Sequence, residues 1–271
     1  MLTAKQLVDI KELQRDCESG ENFELKLNWD MLRTRPENET TDFFFYEKER
    51  LLGFLAIYEF GHKAELCGMV HPEHRRKGIF TNLFKQAEKQ LEEKQYKRIL
   101  LNAPANSQSA KGLLKSFPCS YSFSEYQMKW HEKELHKQPD VLLRPAEPAD
   151  MEMEVLLDVK CFGFEESDAR AYNERILAVD DHYMIDWNKK TLGKMRLSFN
   201  EGEAWVYGFA VLPEYQGKGI GRKALTNAIL AAAEKGYPIF LEVEAKNAHA
   251  LKLYEACGFQ AYSSQDYYLL A

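Results

Sequence analysis

The stretch "AVLPEYQGKGIGRKALTNAIL", residues 210–230, contains three closely spaced glycines before an apolar segment. It places Gly217, Gly219 and Gly221 at alternate positions, directly before a segment whose apolar residues have helical spacing. The first N–H groups of a helix have no internal partner and lie at the positive end of its dipole. Glycines let the main chain approach a bulky anion closely. Together with Lys218 and Arg222, the stretch predicts a phosphate-binding loop at a helix N-terminus.

Two other types of phosphate-binding loop, the Walker loop and the dinucleotide-binding loop, are alternatives for this stretch. A Walker loop needs Lys and then Ser or Thr after its last glycine, and the residues 222–224 read Arg-Lys-Ala, which excludes it. A dinucleotide-binding loop fits better, because residues 219–224 match G-x-G-x-x-A and Glu242 lies about 20 residues further on. However, "LPEYQ" separates the preceding strand from Gly217, and the upstream strands read as hairpins. A nicotinamide-dependent oxidoreductase therefore remains an alternative from a different class.

A second copy of the same plan lies earlier in the chain. "MVHPEHRRKGIFTNLFKQAEK" (69–89) places Pro72 141 positions before Pro213, and an offset near 140 relates 96–117 to 237–259. A repeat this long indicates duplicated domains. The polar segment "HEKELHKQPD" (131–140) reads as a linker, so we predict domains over 1–137 and 138–271.

Hydrophobic periodicity predicts an α/β (α+β) fold in both copies. Each copy is expected to have a mixed, mostly antiparallel sheet flanked by helices, with Asp150 as a possible helix N-cap. The first copy is expected to begin its sheet with a hairpin over 41–60. In the second copy the predicted helices are 151–162, 166–179, 222–236 and 248–258, and the predicted strands are 182–188, 191–200, 203–212, 238–245 and a last one near 265–271.

Composition excludes several classes of protein. With 271 residues and a net charge of −6, wholesale nucleic-acid binding is not expected. No apolar run reaches the roughly 18 residues of a membrane span, so we expect no membrane partner. Five scattered cysteines without a CxxC pair favour reduced thiols in the cytoplasm. The seven histidines show no metal-ligand spacing, and we predict no metal and assign them to surface or packing positions.

The loop and a downstream segment together resemble a known family. "VLPEYQGKGIGRKAL" is similar to the acyl-CoA-binding segment [Q/R]-x-x-G-x-[G/A] of the GCN5-related N-acetyltransferases (GNAT). "LEVEAKNAHALKLYEACGF" is similar to the second signature of that family, Asn followed seven residues later by Tyr on a helix, here Asn247 and Tyr254. The resemblance covers 140–271 well and 40–130 in outline, and over 205–259 it is especially close to the protein N-terminal alanine acetyltransferases.

The resemblance implies a binding mode for acetyl-CoA, with CoA as the product. The substrate would lie in a V-shaped gap between the strand that ends at Val211 and the strand that holds Glu242. The amides of Phe209 and Val211 would pair with the pantetheine arm, the amides of 217–222 would hold the pyrophosphate, and Asn247 would bind near the arm or order a water. The implied binding residues are Phe209, Ala210, Val211, Gln216, Gly217, Lys218, Gly219, Ile220, Gly221, Arg222 and Asn247.

Acyl transfer to an amine requires a base, an acid and a site for the oxyanion. An ammonium with a pKa near 10 must lose its proton before attack. We expect Glu242 to accept that proton directly or through water, with Glu203 as the second candidate, unless this strand face is simply solvated. Tyr254 is the expected acid toward the CoA thiolate, unless it only packs in the core. Amides around 209–211 would stabilise the oxyanion.

The predicted function is transfer of an acetyl group from acetyl-CoA to a primary amine, on a small molecule or a peptide N-terminus. The alternative is a non-catalytic acyl-CoA-binding sensor or regulatory module. The sequence leaves open the acceptor, the pathway, the oligomeric state and whether the first copy binds acyl-CoA. That copy reads as degenerate, because the positions of Gly217, Gly221, Glu242 and Tyr254 hold Arg76, Phe80, Asn102 and Leu114, while Gly78 matches Gly219.

Overall fold

The computed structural model describes residues 1–35, 40–176, 181–200 and 202–271. These residues form two compact units. The first unit contains Met1–Glu125 together with Ser263–Ala271, and the second contains Tyr126–Tyr262.

The first unit has helices on both faces of its sheet. Alternate residues along β2 divide between the faces, so that Leu55 and Ile57 pack toward α3 while Phe54 and Tyr58 pack toward α1. Its elements, in chain order, are α1 (Ala4–Glu18), α2 (Trp29–Arg33), β1 (Asp42–Glu47), β2 (Arg50–Phe60), β3 (Lys63–Val70), α3 (Ile79–Lys94), β4 (Arg98–Pro104), α4 (Gln108–Leu114) and β5 (Cys119–Trp130), the last of which ends in the second unit.

The second unit repeats this plan. Its core lies between α7 and the sheet, and a smaller cluster around Leu157 and Met184 packs beneath α5. Its elements are β6 (Val141–Pro145), α5 (Met151–Phe162), α6 (Glu166–Ile176), β7 (Asp181–Trp187), β8 (Lys190–Asn200), β9 (Glu203–Val211), α7 (Ile220–Glu234), β10 (Ile239–Glu244), α8 (Ala248–Ala256) and β11 (Phe259–Leu270), the last of which ends in the first unit.

Strand pairing is mostly antiparallel in both units, which confirms the predicted fold class. In the first unit the order is β1-β2-β3-β4-β11-β5, and in the second it is β5-β10-β9-β8-β7-β6. The parallel pairs are β3 with β4 and β9 with β10, whereas the pairs β1–β2, β2–β3, β6–β7, β7–β8 and β8–β9 are antiparallel. Each parallel pair therefore lies among antiparallel pairs, which include β4 with β11 as well as the hairpins.

Several predicted elements differ in detail from the structure. The last strand is longer than predicted and begins at Phe259. The end of the predicted helix over 166–179 falls on residues 177–179, which lie outside the described residues. Asp150 occupies the N-cap of α5, but its carboxylate accepts from Arg144 and from the N–H of Glu147 instead of capping the helix.

The compact units divide the chain at a different place from the predicted boundary at 137/138. The predicted linker packs within the second unit, where His131 N–H donates to Gly258 O (3.0 Å) and Gln138 N–H donates to Asn227 Oδ1 (2.8 Å). The last nine residues of the chain belong to the first unit, where Gln265–Leu269 pair with β4. The boundary between the two sequence repeats at 137/138 stays a prediction.

Within the described residues, no helix has the length and apolar character needed to cross a membrane. The five cysteines all lie in this part of the chain and form no disulfide.

Candidate functional site

The parallel strands β9 and β10 of the second unit separate part-way along their length. β9 and β10 pair over three positions, and the last pair is Val206 with Leu241. β9 then runs on to Val211 and β10 to Glu244, so a gap opens between them. Glu242 is the first residue of β10 beyond the last pair, and it therefore lies where the strands fork.

A β-bulge shapes the β9 side of this gap. The register between β8 and β9 shifts by one residue, because Lys194 pairs with Ala210 while Arg196 pairs with Tyr207. Leu212 N–H donates to Leu192 of β8 (2.8 Å). Since successive N–H groups of a strand point to opposite edges, the N–H of Val211 points away from β8 and toward the gap.

The glycine loop leaves its main chain open. Gly217 (φ +75°) and Gly219 (φ +79°) adopt left-handed conformations, and a Cβ at either position would meet nothing within 4 Å among the described residues. Gly219 is the N-cap of α7 and makes no side-chain capping bond, and the first helical N–H to find a partner in the helix is that of Lys223. The N–H groups over 220–222 therefore precede the first bonded turn, which is the part of a helix where an anion can be bound.

Two polar side chains of the loop stabilise its own backbone. Gln216 Nε2 donates to the carbonyl of Val211 (2.8 Å), which ties the loop to the end of β9. Lys218 Nζ donates to the carbonyl of Glu214 (3.1 Å) and lies over the ring of Tyr215. Both predicted binding side chains, Gln216 and Lys218, therefore contact carbonyl groups of the protein itself.

Glu242 has a buried partner that sequence reasoning missed. Gln127 Nε2 donates to Glu242 Oε1 at 3.2 Å. Glu244, on the same strand face, pairs instead with Lys246 (2.6 Å). Glu203 accepts from Trp205 Nε1 (2.9 Å) and precedes Val206 by three residues, or about 10 Å along the strand, on the paired side of the fork. Of the two candidate bases, Glu242 is the one that lies at the gap.

Tyr254 on α8 is 8% exposed and packs edge-to-face against Phe259. Burial raises the pKa of its phenol to about 12, so the group stays protonated at neutral pH. Asn247 Oδ1 caps the same helix by accepting from Ala250 N–H (3.1 Å). Burial also raises the pKa of the Cys257 thiol, which agrees with a packing role.

The first unit keeps the same main-chain plan. β3 and β4 separate after Leu66 and Leu101, and Asn102 takes the position of Glu242. Arg76 (φ +65°) and Gly78 (φ +79°) reproduce the left-handed conformations of Gly217 and Gly219. A cavity of about 510 Å³ lies in this unit, lined by the fork, the basic loop and α4. The predicted degeneracy of this copy thus concerns its side chains more than its backbone.

The two units differ in which element supplies an aromatic ring between the strand and the helix. In the second unit, a Cβ at Gly221 of α7 would contact the ring of Phe209 on β9 at 3.5 Å. In the first unit, a Cβ at Gly68 of β3 would lie 2.7 Å from the ring of Phe80 on α3. The strand supplies the ring in one unit and the helix supplies it in the other. Phe80 therefore takes the packing position that Phe209 has in the second unit.

A family model agrees with this geometry over most of the chain. The Acetyltransferase (GNAT) family model matches residues 7–117 and again residues 151–259. The chain belongs to the GNAT family. The two separate matches agree with the tandem arrangement that the repeat predicts.

Curated relatives match a limited segment. The [ribosomal protein bS18]-alanine N-acetyltransferase of Escherichia coli K12 is 41% identical over 68 residues, which are 24% of this chain and 46% of that protein. The spermine/spermidine N(1)-acetyltransferase of Bacillus subtilis 168 is 38% identical over 68 residues, 24% of this chain and 45% of that protein. The chain thus spans about half the length of the curated relatives it matches.

Solved structures match almost the whole chain at low identity. A GCN5-related N-acetyltransferase from Sphaerobacter thermophilus has a TM-score of 0.75 at 14% identity and covers 96% of this chain and 91% of its own. A tandem GNAT protein from the clavulanic acid biosynthesis pathway has a TM-score of 0.71 at 14% identity and covers 97% and 94%. These likenesses show the tandem GNAT fold.

Proposed function

We propose that the second unit transfers the acetyl group of acetyl-CoA to a primary amine by direct attack. The observation that carries this proposal is the fork of β9 and β10, with Glu242 directly beyond the last pair and an open glycine loop at the end of β9. The alternate N–H groups of β9 and the N–H groups of the α7 N-terminus supply donors for an extended, phosphate-bearing thioester.

The residues of the fork supply the remaining chemistry. The amine nitrogen attacks the thioester carbonyl carbon, its proton passes to Glu242 directly or through water, and the carbon–sulfur bond breaks. The N–H of Val211 is the proposed donor to the oxyanion. Tyr254 is the proposed acid that protonates the departing thiolate, and its raised pKa keeps that proton available. Asn247 is proposed to act near the pantetheine arm.

The proposed acceptor is an amine, and a CoA-release assay with several amines would identify which one reacts. One curated relative is named for an alanine of ribosomal protein bS18 and another for spermine and spermidine, at 41% and 38% identity. The excess of acidic residues in the chain favours a cationic acceptor.

The test is a CoA-release assay with acetyl-CoA and a panel of amines that includes spermine, free amino acids, aminoglycosides and a peptide that begins with alanine. We expect release with at least one amine and a loss of about a hundredfold or more in Glu242→Gln. Acetyl-CoA binding without release for any amine would support the sensor instead. Binding of a nicotinamide cofactor in place of acetyl-CoA would overturn both.

A further inference from the structure

Two histidines occupy the turn between β3 and α3 of the first unit, where the second unit has Leu212 and Tyr215. The two turns share one backbone conformation, with φ −48° and ψ 131° at His71 against −47° and 133° at Leu212. Two main-chain hydrogen bonds close each turn, from His74 N–H to His71 O (2.8 Å) and Arg75 N–H to Pro72 O (3.3 Å) in the first unit, and from Tyr215 N–H to Leu212 O (2.9 Å) and Gln216 N–H to Pro213 O (3.2 Å) in the second. In the first unit, His71 Nδ1 also accepts from Glu73 N–H (3.3 Å). Since the same turn forms with leucine and tyrosine, the fold does not require either imidazole.

The geometry of the two rings matches a metal site. The Nδ1 atoms of His71 and His74 lie 3.4 Å apart. Two nitrogens at 2.0–2.1 Å from one tetrahedral zinc ion are about 3.3–3.4 Å apart. A carboxylate oxygen of Glu73, between them in sequence, completes a group of three ligand atoms that all lie within 4.8 Å of one another.

Each imidazole also has a carboxylate near its other nitrogen. Asp16 Oδ2 lies 3.6 Å from His71 Nε2, and Glu47 Oε2 lies 3.9 Å from His74 Nε2. Histidines that bind a metal commonly donate their second N–H to a carboxylate, which fixes the tautomer and strengthens the ligand. The two outer carboxylates come from α1 and from the end of β1, so the arrangement depends on tertiary structure.

We propose that His71 Nδ1, His74 Nδ1 and the carboxylate of Glu73 bind a divalent cation of the zinc class. Two imidazoles and one carboxylate suit Zn²⁺ better than Mg²⁺ or Ca²⁺, which prefer oxygen ligands. His74 also lines the 510 Å³ cavity, so the fourth position is available to water or to an anionic group bound there. This proposal departs from the sequence prediction of no metal. The signal was the contrast between "HPEH" (71–74) and "LPEY" (212–215).

Arg50 is the group that opposes a cation here. Its guanidinium lies 2.9 Å from His71 Nε2 and 3.0 Å from Asp16 Oδ2. Arginine only donates, so this contact competes with the tautomer in which Nε2 carries the proton, and it occupies the carboxylate that this tautomer needs. A metal on Nδ1 would also replace the hydrogen bond that Nδ1 accepts from Glu73 N–H. The Arg50 side chain is 59% exposed and free to turn into solvent. Removing it should therefore strengthen metal binding, whereas a purely structural histidine pair predicts no such gain.

Isothermal titration of the metal-free, full-length chain with zinc chloride tests the site. We expect a single equivalent to bind to the wild-type chain and none to bind tightly to His71→Leu/His74→Tyr, which installs the residues of the second unit. Asp16→Asn should weaken binding about 10–100-fold, and Arg50→Gln should tighten it. His136→Ala, at a histidine that is 80% exposed beside Glu134, is the matched control and should bind as the wild type does.

Circular dichroism and thermal unfolding without zinc establish that each variant is folded before its titration is interpreted. If the double variant does not fold, Asp16→Asn and Arg50→Gln, which keep both histidines, decide the question by their opposite shifts. No zinc binding to the wild-type chain, or equal binding to all folded variants, would overturn the proposal.

Discussion

Gln127 Nε2 donates a hydrogen bond to Glu242 Oε1 at 3.2 Å, although the two residues are 115 positions apart. Gln127 is 6% exposed, and its Oε1 has no hydrogen-bond partner among the described residues. A donor held at this distance orients the carboxylate. Because Gln127 contacts Glu242 and not the reacting atoms, we regard it as a positioning residue.

Gln127→Leu should lower kcat for acetyl transfer by about 10–100-fold, the range expected for losing a hydrogen bond to a charged group. The KM for acetyl-CoA should stay unchanged, because the loop that binds phosphate is untouched. Gln265→Leu removes a buried amide that donates to Glu24 O (2.8 Å) in the first unit, and it is the control for general destabilisation. Equal loss of kcat in both variants would show that Gln127 has no specific role in orienting the Glu242 carboxylate.

The pH dependence of the reaction tests Tyr254. Burial raises the pKa of its phenol to about 12, so the proton is held to higher pH than in an exposed tyrosine. The wild-type rate should therefore show no decline from this group until about pH 11. Tyr254→Phe should lower the rate by about a hundredfold at all pH values while acetyl-CoA still binds. Tyr268→Phe, at a tyrosine of the first unit whose pKa burial also raises, should keep the wild-type rate.

Local patterns allowed much of the fold to be predicted. The apolar hairpin segment over 41–60, and the glycines before α7, act within a few residues of the chain, and the structure has these elements where the sequence places them. The period of two along β10 predicts the face on which Glu242 lies. Glu242 is the first residue beyond the strand fork because pairing with β9 ends at Leu241. No local pattern specifies where that pairing ends.

Contacts between distant segments account for what sequence reasoning missed. Lys194 looks like an exposed residue of an alternating strand, yet it is 6% exposed because Asp158 (2.8 Å) and Asn173 (3.3 Å) surround its ammonium group. Gln127 was assigned to the first copy, whereas it lies in the second compact unit. The partners of both residues lie on segments tens of positions away in the chain. A single sequence contains no local pattern that identifies such distant pairs.

A glycine-to-alanine variant in the open loop should distinguish the effect of backbone strain on stability from the effect on ligand binding. Gly219→Ala places a Cβ in a left-handed conformation at φ +79°, which costs about 1–2 kcal/mol, although nothing within 4 Å among the described residues obstructs it. Gly163→Ala introduces the same strain at φ +71°, also in open space, at the end of α5. Urea unfolding should show similar losses of stability in both variants, while acetyl-CoA affinity, measured by titration, should fall only in Gly219→Ala. A fall of equal size in Gly163→Ala would mean that the loop has no special role.

The exchange of a ring between strand and helix predicts an energetic coupling in the first unit. Gly68→Ala brings a Cβ to 2.7 Å from the Phe80 ring and 3.1 Å from the Phe54 carbonyl, so overpacking should cost about 1–3 kcal/mol. Phe80→Ala removes the ring and should cost about 3–5 kcal/mol through the space it leaves. In the double variant the new methyl group occupies part of that space. The loss of unfolding free energy should therefore be smaller than the sum of the two single losses by at least about 0.5 kcal/mol. Strict additivity in urea unfolding would show that Phe80 does not pack against Gly68 in solution.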